Sequence, residues 1–99
     1  MISFKKVWND VNNLVNDSVV NVNIVNKIKN VFLVEEEGNV VFLTKDDFVD
    51  FWAKLFSNKQ VDMNNLGVES SNKELYIYQL VKELPYIVEE GNMIYLANN

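Results

Sequence analysis

The feature that most constrains this fold is a phrase that the sequence contains twice. "FLVEEEGNVVFL" begins at Phe32 and "YIVEEGNMIYL" begins at Tyr86. In each copy, two short runs rich in β-branched and aromatic residues flank carboxylates and a Gly-Asn pair, a composition typical of a β-hairpin. Gly and Asn both tolerate the positive φ that a tight hairpin turn demands. The two copies therefore predict two hairpins, the first turning at Gly38-Asn39.

The repeat itself has two explanations. An internal duplication would produce it, and so would convergence, because any hairpin favours a Gly-Asn turn with exposed carboxylates near its tip. Little similarity extends beyond the hairpins themselves, which favours convergence.

The residues before and around the first hairpin predict a helix and a three-stranded meander. Apolar residues recur at helical spacing over 4–16, and Ser3 is placed to cap that helix. The stretch "VNVNI" from Val20 to Ile24 then alternates strictly, as a half-buried strand does. With strands over 31–35 and 40–44, it predicts a small antiparallel sheet.

The next segment begins with a helix signal. Thr44 is followed three residues later by Asp47, a cap residue and a carboxylate near the positive end of the helix dipole, so we expect a helix over 45–57. One short helical turn should follow, capped by Asp62 and closed by Gly67. We interpret the apolar stripe of the longer helix as core rather than as a stacking platform for bases: Phe48, Phe51, Trp52, Leu55 and Phe56.

A second capping signal precedes the last helix. Ser71 and Glu74 form a capping box, which predicts a helix over 72–84. Pro85 should end it, because the residue before a proline is disfavoured in the α region. The second hairpin, over 86–96, completes the chain.

The order of elements after Thr44 resembles the winged helix-turn-helix superfamily. The predicted fold is thus α+β, a single domain over 1–99: an N-terminal helix and small antiparallel meander over 1–44, then a winged-helix-like half over 45–97. The resemblance implies that helix 72–84 is the recognition helix and that "YIVEEGNMIYL" is the wing. It also implies DNA binding as the commonest activity, with protein binding second.

Composition excludes most enzyme chemistry. The chain has no Cys and no His, so the usual general base, thiol nucleophile and imidazole metal ligand are missing. Ser3 and Lys6, like Ser70 and Lys73, have the spacing of some acyl-transfer enzymes, but serines at these places serve better as helix caps. We expect no enzyme activity, no metal and no cofactor, with a cofactor-free hydrolase as the one catalytic hypothesis left open.

The net charge of the chain and the charges on its last helix argue against DNA binding. All nine basic residues are Lys and the net charge is −5. Helix 72–84 carries Lys73 and Lys82 but also Glu74 and Glu83, and phosphate neutralisation supplies most non-specific DNA affinity. Our leading hypothesis is therefore a non-catalytic acidic protein-binding module, such as a mobile-element-encoded inhibitor or regulator of a nucleic-acid-binding protein. The alternative is a winged-helix DNA-binding transcriptional regulator.

The expected partner is a protein with a basic surface; nucleic acid is disfavoured, and a homodimer is left open. The partner surface should be one contiguous patch formed by the solvent side of the last helix and the wing tip: Asn72, Tyr76, Gln79, Glu83, Glu89 and Glu90. Leu75 points away from the main apolar face of that helix, and Tyr76 and Tyr78 lie on its flanks. Either the meander covers this second face, which we favour, or a partner does. No apolar run approaches the length of a membrane span, and the charged N-terminus lacks a signal peptide, so we expect a cytoplasmic protein without a membrane partner.

Overall fold

The computed structural model describes residues 2–17, 22–66 and 73–97. Their fold is α+β, as predicted, with an N-terminal helix, a three-stranded antiparallel sheet, and then helices with a second small sheet. The elements in chain order are α1 (Phe4–Asn16), β1 (Ile24–Ile28), β2 (Val31–Glu36), β3 (Asn39–Thr44), α2 (Lys45–Asn58), β4 (Gln60–Asp62), a 3₁₀ turn (Met63–Asn65), α3 (Lys73–Val81), β5 (Ile87–Glu90) and β6 (Met93–Leu96).

The first sheet has the order β1-β2-β3. The strand predicted over 20–24 is wrong, since β1 occupies Ile24–Ile28 and shares only one residue with it. Antiparallel pairing with β2 through the tight turn at Lys29 and Asn30 decides the position of β1, and a bulge follows Ile24. Val22 is buried but lies before the strand, and residues 20 and 21 lie outside the described residues.

Helices α1 and α2 cover one face of this sheet, through an aromatic cluster. The ring of Trp8 lies 5.4 Å from that of Phe32 and 5.3 Å from that of Phe48, centroid to centroid. Phe32 and Phe48 meet edge to face at 5.8 Å. Tilted and edge-to-face pairs of this kind stabilise a core beyond the area they bury. The cluster thus fixes α1 and α2 on what we call the inner face of the first sheet.

The start of α2 confirms the predicted cap. Thr44 Oγ1 accepts the Asp47 backbone N–H at 3.2 Å, and Asp47 Oδ2 accepts the Thr44 N–H at 2.9 Å. The predicted core stripe is confirmed at Phe48, Phe51, Trp52 and Leu55. Its fifth member, Phe56, is instead 39% exposed, because it lies at the margin of the stripe, where the Lys59 ammonium sits 5.8 Å from its ring centroid.

The second sheet has the order β4-β6-β5. The sequence did not predict β4, a three-residue strand in which Val61 pairs with Ile94 of β6. Asp62 then caps the 3₁₀ turn by accepting the Asn64 N–H at 2.8 Å, as expected. Gly67, the predicted end of this turn, lies outside the described residues.

Helix α3 is shorter than predicted at its C-terminal end. It ends at Val81, and residues 82–84 continue as turns in which Glu83 N–H bonds to Leu80 O and Leu84 N–H bonds to Val81 O. These three-residue spacings tighten the chain before Pro85, which cannot itself continue a helix. The predicted cap Ser71 lies outside the described residues.

The two similar phrases fold into different turns. In the first hairpin the turn residues are Glu37 and Gly38, at φ 51° and 84°, both positive as a type I′ turn requires. The predicted turn was therefore wrong by one residue, since Asn39 already belongs to β3. In the second hairpin Gly91 and Asn92 form the turn, and of these two only Gly91 has positive φ.

The two hairpins also bury opposite faces of their first strands. Phe32 and Val34 are buried in β2, whereas Ile87 is the buried residue of β5. In the aligned phrases Ile87 corresponds to Leu33, which is only half-buried. A duplication would be expected to preserve which face of the strand is buried. The difference between the two hairpins therefore favours convergence.

Candidate functional site

The predicted partner residues divide between the two hairpins. The Tyr76 hydroxyl of α3 donates a hydrogen bond to Glu36 Oε2 at 2.6 Å, at the end of β2. Leu75 next to it is half-buried against the core. The meander therefore contacts α3 through Tyr76, and its coverage of Leu75 stays a prediction.

The C-terminal end of α3 meets the tip of the second hairpin instead. Lys82 Nζ lies 3.7 Å from Glu89 Oε2, and Glu83 is exposed in the turn beside it. Gln79 is half-buried on the preceding helical turn. Asn72, the remaining α3 candidate, lies outside the described residues.

Glu89 and Glu90 lie on opposite faces of the second sheet, because successive side chains of a strand alternate. Glu89 pairs across β6 with the buried Ile94 and so lies on the α3 side. Glu90 lies on the other face, where a hydrogen bond with its carboxylate raises the pKa of Tyr95. The structure thus brings Glu89 to Lys82, the neighbour of Glu83, directs Tyr76 to the first hairpin, and places Glu90 on the opposite face of β5 from Glu89.

The charged groups of α3 are already engaged within the protein. Lys73 Nζ lies 3.5 Å from Asp47 Oδ2, and Glu74 accepts from Lys54 Nζ at 2.5 Å. With the Lys82–Glu89 pair, both lysines near this helix have carboxylate partners. Half-exposed pairs such as these contribute little to stability, at most about 1 kcal/mol each. These ion pairs matter because they neutralise ammonium groups that could otherwise bind a phosphate.

The exposure of α3 is unusual for a helix that reads DNA. Every residue over 73–81 is buried or half-buried, and none stands clear in solvent. A recognition helix must project several side chains to base edges in the major groove. Helix α3 therefore presents little that could enter a groove.

Tyr78 on α3 corrects one sequence-based interpretation. It was expected on a flank of the helix, but it is fully buried, and burial raises the pKa of its hydroxyl. That hydroxyl has no hydrogen-bond partner within the described ranges. Periodicity could not place Tyr78 because apolar residues surround α3 on every side.

A cleft of about 320 Å³ lies between α2 and α3. Its apolar floor is formed by Phe51 and Ile77, and its charged rim carries Asp47, Asp50, Lys54, Lys73 and Glu74. The ion pairs Lys73–Asp47 and Lys54–Glu74 join the two helices across it. Sequence reasoning missed this cleft because β4 and the 3₁₀ turn separate its two walls along the chain, and only the tertiary fold brings them together.

In the described part of the chain, no three acidic side chains converge as a metal site would require. Ser3 Oγ accepts the Lys6 N–H at 3.3 Å as a cap, and the Lys6 ammonium binds Asp10 Oδ2 at 3.0 Å. The second Ser-x-x-Lys serine, Ser70, lies outside the described residues.

No protein-family model matches the sequence, and neither a curated protein nor a solved structure shows significant similarity to it. Among the described residues, none of the helices combines the length and apolar character needed to cross a bilayer.

Proposed function

We propose that this chain is a non-catalytic protein-binding module whose partner presents a basic surface. The contact region is the acidic tip, which we define as Glu83, Glu89 and Glu90. The observation that carries the proposal is a charge imbalance: Lys73 and Lys82 both have carboxylate partners, while the exposed Glu83 and Glu90 form no ion pair among the described residues. Glu89, the partner of Lys82, is exposed as well.

The electrostatics suit a protein partner rich in Lys or Arg. With a net charge of −5, the chain attracts a basic face over long range, and such steering raises association rates. The exposed carboxylates of the acidic tip would then pair with it at short range. A regulator or inhibitor that covers the basic nucleic-acid-binding surface of another protein, encoded by a mobile element, is the role that fits this chemistry best.

The same features argue against duplex DNA as the main ligand. An acidic tip repels phosphate, and Lys73 and Lys82 would have to leave Asp47 and Glu89 to reach it. Helix α3 also offers no fully exposed residue over 73–81. Since phosphate contacts supply most of the non-specific affinity for DNA, this surface should bind duplex weakly.

A winged-helix DNA-binding regulator is the second candidate, and one observation favours it. Strand β4 lies between α2 and α3 in sequence and pairs with β6, the far strand of the hairpin, in the order β4-β6-β5. A strand at this place, beside three helical segments and a terminal hairpin, fits the winged-helix resemblance. In that case Lys82 would have to exchange Glu89 for a phosphate.

The test compares the two ligands directly. Tagged protein is used to isolate partners from its own host, and the association rate of the isolated partner is then measured with wild type and with Glu89→Lys/Glu90→Lys. We expect this variant to bind at least about tenfold more slowly, because it reverses the charges that steer the encounter. Asp17→Lys/Asp50→Lys is the matched control, since it makes the same charge change at two other exposed positions and should have a smaller effect.

Duplex DNA is titrated in parallel at low and moderate salt. Wild type should bind weakly, and the lysine variant of the tip should bind more tightly. Micromolar or tighter binding by wild type, with a steep loss of affinity as salt rises, would reject the protein-partner proposal in favour of the DNA-binding regulator.

A further inference from the structure

One face of the first sheet is apolar and open to solvent. We call it the outer face and define it by Ile28, Val31, Leu33, Val40 and Phe42; strand pairing adds polar residues only at its margins, namely Asn26, Glu35 and Thr44. Ile28, Val40 and Phe42 are 55%, 48% and 53% exposed, respectively, and the other two are half-buried. An antiparallel sheet with one solvated face normally carries polar residues there, so these side chains need an explanation.

Strand register assigns these residues to one face. Leu33 pairs with Phe42, Val31 pairs with both Ile28 and Thr44, and each side chain shares a face with its cross-strand partner. Phe32 and Val34 alternate with them and face α1 and α2. Helix α3 is on that inner side as well, since Tyr76 bonds to Glu36. The helices of the described chain therefore leave the outer face uncovered.

The second hairpin provides an internal comparison. Counted from each turn, the pair Leu33–Phe42 corresponds to Ile87–Leu96, and Val40 corresponds to Ile94. In the second hairpin these positions face the core, where Ile87 and Ile94 are buried. The outer face of the first hairpin thus has the composition that the same protein buries at the equivalent positions of its second hairpin.

The two ends of the outer face carry opposite charges. At one end lie Lys29, in the turn after β1, and Lys45, whose backbone N–H bonds to Asn30 O at 2.9 Å. This end remains net positive when the neighbouring Asp46 is counted, and Asp47 is occupied by Thr44 and Lys73. At the other end lie the exposed carboxylates of Glu35 and Glu37. A six-residue strand separates the two ends by about 17 Å.

We propose that the outer face is the contact surface of a homodimer in which two copies of this chain pack face to face with their strands antiparallel. A twofold axis in the interface, perpendicular to the strands, places the Lys29 and Lys45 end of each copy over the Glu35 and Glu37 end of the other. Phe42 and Leu33 then lie near the centre of the interface. Such an isologous contact pairs both charged ends at once.

A second copy fits this face better than the basic partner proposed above. A uniformly basic surface would match the glutamate end but repel the lysine end, whereas a second copy satisfies both. The face is small, since three strands about 4.8 Å apart and some 17 Å long offer roughly 250 Å² per subunit, below the ~800 Å² of a standard interface. We therefore expect a reversible dimer with a dissociation constant between about 1 μM and 1 mM.

Sedimentation velocity over a concentration series tests the assignment. Wild type should shift from monomer to dimer, and Phe42→Ser should weaken the dimer at least about tenfold, as truncation of a central aromatic does. Phe56→Ser is the matched control, because Phe56 is also an exposed phenylalanine but lies on α2, and it should leave the association unchanged. Val40→Thr, which keeps the side-chain shape, should weaken the dimer even if Phe42→Ser reduces folding.

Charge exchange tests the antiparallel arrangement. Lys45→Glu and Glu35→Lys should each weaken self-association, because each places like charges across the interface. An equimolar mixture of the two variants should recover it, since the carboxylate introduced in one chain then faces the ammonium group introduced in the other. Lys5→Glu, the same change on α1, should leave the association unaltered.

Three outcomes overturn the proposal. A wild-type chain that remains monomeric up to about 1 mM has no such dimer, since its affinity would fall outside the expected range. A dimer that Phe42→Ser and Val40→Thr leave intact uses another surface. A mixture of the charge variants that associates no better than either variant alone excludes the antiparallel arrangement.

Discussion

The Tyr86 hydroxyl donates a hydrogen bond to Asp10 Oδ2 at 2.8 Å, joining residues 76 positions apart. The Lys6 ammonium binds the same oxygen at 3.0 Å and lies 5.5 Å from the centre of the Tyr86 ring. The hydrogen bond from Tyr86, followed by Lys6, lowers the pKa of Asp10 despite its partial burial. Burial, and then the bond to Asp10, raises the pKa of Tyr86. This contact fastens α1 to the segment that leads into β5.

Tyr86→Phe should reduce the free energy of unfolding at pH 7 by about 1–2 kcal/mol, the usual loss for a hydrogen bond to a charged group. The folded pKa of Asp10 lies below its ordinary value of 3.8, so its stabilisation is present above that pH and is lost as pH falls through the folded pKa. The difference between wild type and variant should therefore shrink below about pH 4. Urea unfolding from neutral to strongly acidic pH measures it, with Tyr78→Phe as the control, because the Tyr78 hydroxyl has no hydrogen-bond partner among the described residues.

The same contact should respond to alkali. Because the folded pKa of Tyr86 is raised above its ordinary value of 10.0, its contribution is present below that pH and is lost as pH rises further. Above this pH, wild type should lose stability more steeply than Tyr86→Phe does. Equal slopes for the two proteins would contradict the assigned shift.

Tyr78→Phe should change the free energy of unfolding in the opposite direction to Tyr86→Phe, or leave it unchanged. The buried Tyr78 hydroxyl has no hydrogen-bond partner among the described residues, so its removal relieves a desolvation cost and retains the ring. We expect the variant to be as stable as wild type or about 1 kcal/mol more stable. Chemical denaturation compares the two phenylalanine variants side by side, and a clear loss for Tyr78→Phe would mean that the hydroxyl has a partner.

Trp52→Ala should cost about 3–5 kcal/mol, as truncation of a buried aromatic does, and this is enough to unfold many domains of this size. Trp52 is only 8% exposed within the core. Phe56→Ala, on the same helix but 39% exposed, is the control and should cost about 1 kcal/mol or less. A Trp52→Ala variant that unfolds at the same temperature as wild type would contradict this expectation. Circular dichroism with thermal unfolding distinguishes these results.

Glu37→Asn should stabilise the protein by about 0.5–1 kcal/mol, because Asn tolerates positive φ better than Glu and Asn-Gly is the preferred type I′ turn. Glu37 adopts φ 51° directly before Gly38. Glu37→Ala removes the same charge without relieving the backbone and should not stabilise. If both variants are stabilised equally, the stabilisation comes from removal of the charge rather than from turn geometry. Thermal unfolding curves of the two variants would show this.

Local signals in the sequence predicted the elements that local contacts determine. The cap at Thr44 and Asp47 and the turn capped by Asp62 were correct because each is made within three residues. Strand β4 was missed because three residues around Val61 carry no periodicity, and only their pairing with β6 makes them a strand. The predicted position of β1 failed for the same reason: partners in β2, not alternation within the segment, decide where that strand lies.

The candidate site was less predictable than the fold. Glu89 and Glu90 look equivalent in the sequence, but alternation along β5 directs one to Lys82 and the other to Tyr95. Tyr76 was expected to face a partner, yet it bonds to Glu36, 40 positions earlier in the chain. Tertiary pairing decides which side chains remain available for binding, and no local pattern encodes it.

The apolar character of both faces of the first hairpin has a consequence for how the chain folds. A one-residue slip between two strands exchanges their faces, and a strand with one polar face resists it strongly. Here a slip would replace Phe32 and Val34 by Leu33 at the core, so hydrophobicity alone penalises the mispaired state only slightly. The turn at Glu37 and Gly38 must then fix the strand register early in folding. A substitution that disfavours the positive φ at Gly38 should therefore cause slipped hairpins to accumulate as kinetic traps during refolding.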